Sequence, residues 1–342
     1  MPSIVGPWGP PDAKIAIIGE APGINEIREG RPFVGEAGQQ LRRSTIDAGI
    51  SLSECYLTNV IKERPIDNNI KLFIDLSRKY PQPTEAYKKY EQALYEELLL
   101  LEEVNVLVPV GNVPLYAITR KHGKKSGILK WRGSIIETSI LGRTFKVIPT
   151  IHPAALLPGR GKYIWRYPVR NDFVRVLNES RYPEVRDLNN VMVIGPTFEQ
   201  SMDYLQDLLD YQSIVMFDIE TYNLEISCIS FSKQSHEGIC IPFIEESHNY
   251  FTIEQEMLLW KKIGELLQDE SILKIAQNTA FDTSTIFEKY GIVSRPLGDT
   301  MVQHSILYPE LPRGLDFMTS IYTKQPYYKD IGQRIFSEGS DK

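Results

Sequence analysis

The sequence predicts an α/β protein with two domains. Its 342 residues exceed the roughly 100 to 200 residues of a typical domain. Short apolar runs alternate with segments whose apolar residues recur at helical spacing, which is typical of a layered α/β sheet. The charge also changes sign: residues 1–185 hold 26 Lys and Arg against 20 Asp and Glu, whereas residues 186–342 hold 12 against 24.

The first domain is predicted over residues 1–180. Four apolar runs are expected to form buried strands, at residues 14–19, 56–60, 104–111 and 145–150. Helical periodicity predicts helices at residues 36–49, 84–103, 111–119 and 161–178. Pro168 is expected to kink or divide the last of these helices, because proline lacks the N–H that a helix interior requires.

A polar stretch at residues 181–190 is predicted to be the linker to a second domain at residues 191–342. Strands are expected at residues 191–194, 214–218, 226–232 and 238–243, and helices at residues 197–210, 252–268 and 281–290. This order predicts a second α/β domain with a mixed sheet.

Composition excludes several classes of protein. The hydrophobic fraction of 42% and the charged fraction of 24% are those of a globular protein. No apolar run approaches the roughly 18 to 20 residues that span a bilayer, and no basic segment leads into an apolar one at the start, so a cytoplasmic protein without a membrane partner is expected. Cys55, Cys228 and Cys240 show no Cys-x-x-Cys spacing, and indicate neither a disulfide framework nor a cysteine metal cluster.

Positive charge is concentrated in residues 120–175, which hold 13 basic and two acidic side chains. Such a cluster can neutralise the phosphate backbone of DNA, and a solvated basic face is an equally good interpretation. The candidates for DNA contacts are Lys124, Lys125, Arg160 and Lys162.

Two glycine-rich motifs follow the first predicted strand: Gly19-Glu-Ala-Pro-Gly23, and residues 30–38 just before a helix. Glycines let a backbone approach a ligand closely, and Phe33 in the second motif offers a face on which a planar base can stack. The alternative is an ordinary strand-to-helix turn with Phe33 in the core.

Two further motifs, at residues 57–60 and 150–157, also stand at strand ends. Ligands of open α/β sheets bind beyond the carboxyl ends of the strands, so Glu20, Phe33, Asn59 and His152 are expected to converge there. Taken singly, Asn59 fits a turn residue and His152 a hydrogen-bonded loop histidine. Their joint occurrence favours a binding site.

Together these motifs resemble the uracil-DNA glycosylase superfamily, most closely its family 4 branch, over residues 6–178. The resemblance implies a three-layer α/β/α fold and a uracil that leaves the DNA stack. Uracil would contact Gly19, Gly23, Phe33 and Asn59, with Phe33 on its face and the Asn59 amide on its Watson-Crick edge. By the same resemblance His152 stabilises charge on uracil O2, and Glu20 orients water or the sugar.

The sequence departs from its relatives at three places, one of which is the loop at residues 158–162 after His152, which fits a segment that grips the DNA backbone or wedges into the duplex. Ala21 occupies the slot where some branches of the superfamily have an aspartate that positions water, as it does in the family 4 branch. Family 4 proteins usually hold an iron-sulfur cluster on four cysteines, but this domain has only Cys55, and Glu63 stands in one cysteine slot. The glycosylase-like domain is therefore predicted to have no cluster and no other cofactor.

In the second domain, Asp218 and Glu220 stand two residues apart near the end of a predicted strand, so they share one face. Asp282 follows at a strand-to-helix junction. Carboxylates so arranged suit hard divalent cations, which prefer oxygen ligands. The alternative is that these residues are exposed caps.

This order resembles the RNase H-like proofreading 3′-5′ exonuclease domain of family A DNA polymerases, and residues 298–316 look like phage enzymes. The resemblance implies that Asp218, Glu220 and Asp282 bind Mg²⁺ or Mn²⁺. The later Tyr-x-x-x-Asp motif of that family is not found. We therefore expect a truncated domain from a phage-type replicative polymerase, with the remaining polymerase segments as partners and the host cytoplasm as location.

The leading hypothesis is that the chain excises uracil from single- or double-stranded DNA in base-excision repair. One alternative is a non-catalytic module of a replication protein that binds DNA or uracil. The other is a magnesium-dependent 3′-5′ exonuclease, against which the missing motif argues.

Overall fold

The computed structural model describes residues 4–123, 127–159, 163–245 and 248–327. They form two compact units: one comprises the chain up to Arg186 together with residues from Glu310 onward, and the other runs from Asp187 to Pro309. The predicted DNA contacts at Lys124, Lys125, Arg160 and Lys162 lie outside the described residues.

The first unit is built on one five-stranded sheet. Its strands are β1 (Ile15–Gly19), β2 (Tyr56–Asn59), β3 (Val106–Pro109), β4 (Ile136–Ile140) and β5 (Arg143–Val147). They lie in the order β2-β1-β3-β5-β4, and every pair is parallel except the hairpin of β4 and β5. The helices are α1 (Ile24–Glu29), α2 (Glu36–Ile46), α3 (Glu85–Leu99), α4 (Asn112–Thr119), α5 (Ile128–Trp131) and α6 (Arg166–Glu179).

Strand β1, which lies between β2 and β3, is buried on both faces. Ala16 and Ile18 lie in one apolar core with residues of α3 and α4, whereas Ile15 and Ile17 lie in another with residues of α2 and α6. Successive side chains of a strand point to opposite faces, so the sheet separates two helix-covered cores. The predicted α/β/α layering is confirmed.

Pro168 does not kink or divide α6, and this prediction is wrong. The helix begins at Arg166, so Pro168 lies in its first turn, where the backbone N–H has no partner within the helix and its absence costs little. The predicted strand at residues 145–150 is also displaced: β5 ends at Val147 and forms a hairpin with β4 that the sequence analysis missed.

The second unit has a six-stranded mixed sheet in the order β13-β12-β7-β8-β9-β6. The strands are β6 (Val191–Ile194), β7 (Ile214–Tyr222), β8 (Glu225–Ser232), β9 (Glu237–Pro242), β12 (Leu273–Ala276) and β13 (Leu297–Asp299), and β10 (Ile244–Glu245) forms a separate short pair with β11 (His248–Asn249). The helices are α7 (Phe198–Tyr211), α8 (Ile253–Gln268), α9 (Thr279–Tyr290) and α10 (Thr300–Leu307). The predicted mixed topology is confirmed. Among the described residues, no helix has the length and apolar character that crossing a membrane requires.

The last helix, α11 (Leu315–Tyr322), packs in the first unit. The sequence predicts this segment in the second domain, whereas in the structure it packs with the first unit. The reason is a set of contacts that local sequence patterns do not reveal: Arg132 donates to Ser320 Oγ at 2.8 Å, Lys130 pairs with Asp316, and Trp165 meets the ring of Phe317 edge-on at 5.7 Å.

A buried ion pair underlies this contact. Arg132 and Asp172 are both fully buried, and Arg132 Nε donates to Asp172 Oδ2 at 2.9 Å. Thr150 donates a further hydrogen bond to the same carboxylate oxygen at 2.7 Å. Charges without water need such partners, so the pair fixes where α5, α6 and α11 meet.

We expect Asp172→Ala to lower the free energy of unfolding by about 3 to 5 kcal/mol, because it leaves Arg132 buried without a counter-charge. Urea denaturation of the full chain measures this loss. Asp12→Ala, at an exposed position, is the control and should change stability by less than about 0.5 kcal/mol. A loss below about 1 kcal/mol in Asp172→Ala would show that the pair is not structural.

Candidate active site

A cavity of about 630 Å³ opens at the carboxyl ends of the parallel strands in the first unit. The residues predicted from the four motifs line it together, namely Glu20, Gly23, Phe33, Asn59 and His152. They follow β1, end β2 or lie beyond β5, which is why they meet at one edge of the sheet. The lining also includes Ala21, Glu26, Pro65, Asn68 and Leu157.

Gly19 brings the amide of Asn59 and the ring of Phe33 together. A Cβ atom at Gly19 would lie 2.2 Å from Asn59 Oδ1 and 2.7 Å from Phe33 Cζ, so only glycine leaves room for both. Both side chains are almost completely buried. An aromatic face and an amide are thus fixed side by side in the pocket.

The backbone of Phe33 is strained. Its φ of 56° lies in the left-handed region, which is unfavourable for a side chain of this size. A Cβ atom at Gly38 would lie 1.8 Å from the carbonyl oxygen of Phe33, so a close backbone approach at the start of α2 holds this conformation. Strain of this kind is typical of sites where a side chain must be placed accurately.

Glu26, which was not predicted as a site residue, joins the two glycine motifs through hydrogen bonds. Its carboxylate accepts hydrogen bonds from Gly23 N at 3.1 Å and from Gly35 N at 2.8 Å. Gly23 is the N-cap of α1, and Gly23-x-x-Glu26 has the spacing of a capping box, which was the available signal. Gly23 therefore shapes the wall of the pocket through its backbone.

The hydrogen bonding of His152 orients its ring. Nδ1 accepts a hydrogen bond from Ala154 N at 3.2 Å, so in the neutral ring the proton is on Nε2. His152 also caps the short 3₁₀ turn from Pro153 to Leu156. The neutral ring can therefore donate from Nε2 without a positive charge.

Glu20 follows Gly19 and lines the same cavity. Burial raises the pKa of its carboxyl from about 4.5 to about 6. The carboxylate is therefore the main form at neutral pH, and it contributes negative charge to the wall of the cavity.

The first unit does not fit a four-cysteine iron-sulfur cluster. Its single cysteine, Cys55, is buried, and burial raises the pKa of the thiol to about 12, which disfavours the thiolate that a metal needs. Glu63 stands in one cysteine slot, and burial followed by the negative charge of Glu63 raises the pKa of the Tyr90 hydroxyl. The remaining cysteines, Cys228 and Cys240, belong to the second unit.

In the second unit, Asp218 and Glu220 lie on the exposed face of β7, and Asp282 is buried in the first turn of α9. Asp282 Oδ1 accepts a hydrogen bond from Ile219 N at 3.1 Å. Burial, followed by the charges of Asp282 and Glu220, raises the pKa of Asp218 to about 6, so the structure brings the three carboxylates near one another. In the described part of the chain, however, no three His, Cys, Asp or Glu side chains form a ready coordination shell.

Asp299 is an acidic residue of the second unit that the sequence analysis did not single out. Its carboxylate accepts hydrogen bonds from Thr279 N at 2.9 Å and from Met301 N at 2.8 Å. It therefore connects the beginnings of α9 and α10, and its contacts are those of a structural cap.

The fold and the pocket define a class: an α/β protein with a pocket at the carboxyl edge of a parallel sheet, walled by a buried aromatic ring and a buried amide. Its family follows from comparison with known proteins. The model of the uracil DNA glycosylase superfamily matches residues 7–179, and the chain belongs to this superfamily. A 3′-5′ exonuclease model matches residues 194–336, so the predicted order of the two domains is confirmed.

The relatives of the first domain are type-4 uracil-DNA glycosylases. The protein of Thermotoga maritima is 37% identical over 159 residues, which cover 45% of this chain and 72% of the relative. That of Sulfurisphaera tokodaii is 33% identical over 182 residues, covering 53% of this chain and 72% of the relative. Among solved structures, Escherichia coli RNase D is similar at 16% identity and a TM-score of 0.33, covering 43% of this chain and 36% of that chain.

Proposed function

We propose that the first domain excises uracil from DNA by hydrolysing the bond between the base and the sugar. The observation that carries this proposal is the pocket in which Gly19 holds Phe33 and Asn59 together, with His152 on the same cavity. The type-4 glycosylases among the relatives support it.

Recognition follows from the two buried side chains. The uracil leaves the DNA stack and lies on the ring of Phe33. The Asn59 amide donates to uracil O4 and accepts from uracil N3–H. Cytosine presents a donor and an acceptor in the reverse arrangement, so a cytosine in this pocket leaves buried polar groups unpaired.

Catalysis depends on stabilising the departing base and the sugar it leaves. His152 donates from Nε2 to uracil O2 as negative charge develops there, and the bonding pair of the glycosidic bond stays with the base. The Glu20 carboxylate faces the positive charge that develops on the sugar and orients the water that adds to it. Because Ala21 cannot position water, leaving-group stabilisation carries most of the rate.

The test is incubation of the chain with uracil-containing single-stranded DNA in EDTA, followed by alkali. Cleavage at the uracil that is lost in Asn59→Ala, but retained in the exposed control Asn178→Ala, supports the glycosylase. An intact strand that still binds tightly would favour the alternative, a non-catalytic module that detects uracil.

A pH dependence follows from Glu20. Its pKa is about 6, so the carboxylate is lost as pH falls through that value. We expect the rate of uracil excision to fall about tenfold per pH unit below 6, and Glu20→Gln to be slower with a flatter profile. Single-turnover rates from pH 5 to pH 8 provide the measurement. Parallel profiles in the two proteins would exclude Glu20 as the titrating group.

The raised pKa of Glu20 affects stability in the opposite direction: the excision rate is expected to fall at low pH, whereas the contribution of this group to stability is larger there. The folded state takes up a proton between about pH 4.5 and pH 6, so stability falls as pH rises through this window. Glu20→Gln should therefore be more stable than the parent by about 2 kcal/mol at pH 7.5 and no more stable at pH 4. Denaturation at the two pH values measures this difference.

A second candidate activity is metal-dependent 3′-5′ exonuclease in the second domain. It is favoured by the proximity of Asp218, Glu220 and Asp282, which would hold Mg²⁺ or Mn²⁺ and so activate a water against the terminal phosphate. Digestion from the 3′ end that requires magnesium and is lost in Asp218→Ala, but not in the exposed control Asp203→Ala, supports it.

We further propose that the chain works on DNA during replication, in the cytoplasm or in the host cytoplasm of a phage. The pairing of a uracil-excising domain with a proofreading-type exonuclease domain supports this role. Segments of a family A polymerase are the proposed partner. Co-elution of the purified chain with such a polymerase in size-exclusion chromatography tests the proposal, and separate elution of the two proteins would contradict it.

A further inference from the structure

A stripe of aromatic and basic side chains lies at the beginning of α6. Tyr163, Arg166, Tyr167 and Arg170 are all exposed, and their spacing places them on one helical face. The opposite face holds Pro168 and the core. The function argued above makes no use of this stripe.

The stripe is ordered before any ligand arrives. Arg166 donates one hydrogen bond to the hydroxyl of Tyr163 and another to that of Tyr167, both at 2.6 Å. Its guanidinium carbon also lies 4.5 Å and 4.6 Å from the centroids of the same two rings. A cation held between two exposed rings loses little freedom when a base stacks there.

The position of the stripe relates it to the pocket. The 3₁₀ turn from Pro153 to Leu156, which His152 caps, packs against the turn from Tyr163 to Trp165. Ala155 and Trp165 contact the same apolar core. The stripe therefore begins in a turn that packs against the wall of the cavity. It lies within residues 120–175, where basic residues outnumber acidic ones by 13 to 2.

The chemistry of the stripe suits an unpaired DNA strand. Exposed rings stack on nucleobases of any sequence, and interleaved arginines neutralise phosphates. A duplex offers phosphates but no free base faces. We propose that Tyr163, Arg166 and Tyr167 bind the unpaired strand next to the uracil by stacking on its bases. This proposal rests on the proposed glycosylase function for its position, but its test does not.

The test uses uracil-free, fluorescein-labelled oligothymidylate and the full chain in EDTA, with fluorescence anisotropy as the readout. We expect the double variant Tyr163→Leu/Tyr167→Leu to bind at least about tenfold more weakly, and Tyr163→Phe/Tyr167→Phe to stay within about threefold of the parent, because phenylalanine keeps the stacking face. Tyr211→Leu, an exposed tyrosine near Lys233 in the second unit, is the matched control and should bind normally.

Two further readouts separate stacking from backbone contact. An oligonucleotide with abasic sites should bind the parent and the double leucine variant equally. The affinities of the two proteins for a blunt-ended duplex should differ by less than about twofold. In Arg166→Ala, the slope of the logarithm of the binding constant against the logarithm of the salt concentration should be smaller by about 0.7, the value for one phosphate contact on a single strand. Equal losses on duplex and single strand, or a phenylalanine variant as weak as the leucine variant, would overturn the proposal.

The outcome is independent of uracil excision. If the parent fails to excise uracil yet the leucine variant loses its affinity for oligothymidylate, the stripe stands and the glycosylase does not. If excision is present but affinity is unchanged in the leucine variant, the stripe is a solvated face. When the rate of excision is measured over a range of DNA concentrations, a raised KM with an unchanged kcat in the leucine variant supports the stripe.

Discussion

Replacing His152 with alanine is expected to lower the rate of uracil excision by about 100- to 1,000-fold. The structure supplies the reason: Ala154 N donates to Nδ1 at 3.2 Å, which leaves the proton of the neutral ring on Nε2. A neutral donor stabilises the oxygen as charge develops and costs little in the ground state. Binding of uracil-containing DNA should change by less than about threefold.

The control for His152 must preserve its structural role, because its ring also caps a 3₁₀ turn. Aspartate is a good cap, since its carboxylate can accept from Ala154 N, but it has no proton to donate to uracil O2. We therefore expect His152→Asp to fold like the parent and to be as slow as His152→Ala. Activity restored by aspartate would show that capping alone explains the alanine variant. Single-turnover cleavage and thermal denaturation give the two measurements.

The sequence was sufficient to predict which residues meet in the pocket. Glu20, Asn59 and His152 each stand just after a run of buried apolar residues, and parallel strands bring their carboxyl ends to one edge. The glycines around Phe33 predicted a close approach of the backbone to a ligand. In the structure, Gly19 also makes room for two side chains of the protein itself, those of Asn59 and Phe33.

The packing of α11 could not be predicted in this way. Arg132, Asp172 and Ser320 are widely separated along the chain, and nothing in the periodicity around each of them indicates its partner. Local patterns report on helices and strands, whereas a buried ion pair depends on tertiary geometry. The polar stretch at residues 181–190 indicated where the first segment of the first unit ends. It did not indicate that residues from Glu310 onward also belong to that unit.

The carboxylates of the second unit show the same limit. The spacing of Asp218 and Glu220 on β7 predicts a shared face, and Asp282 approaches them through Ile219 N. Proximity of carboxylates is a property of the fold, whereas a coordination shell requires side chains turned toward one point. The sequence predicts the first of these and not the second.

Gly19→Ala is expected to lower kcat/KM for uracil excision by at least about 100-fold in a chain that remains folded. The added methyl group would lie 2.2 Å from Asn59 Oδ1 and 2.7 Å from Phe33 Cζ, so at least one of these side chains must move. A shift of about 1 Å in a positioning group is enough for a loss of this size. The displaced side chains are those proposed to contact the base, so the full loss of kcat/KM should be seen with uracil-containing DNA.

Gly6→Ala is the matched control, since a Cβ there meets nothing within 4 Å. Alkali cleavage gives kcat/KM for both variants, and circular dichroism monitors folding. The variant also distinguishes two roles for Gly19. If it only permits a tight turn after β1, alanine lowers the melting temperature and leaves kcat/KM within about fivefold. If Gly19 makes room for Asn59 and Phe33, alanine lowers kcat/KM by at least about 100-fold at a temperature where the chain is fully folded.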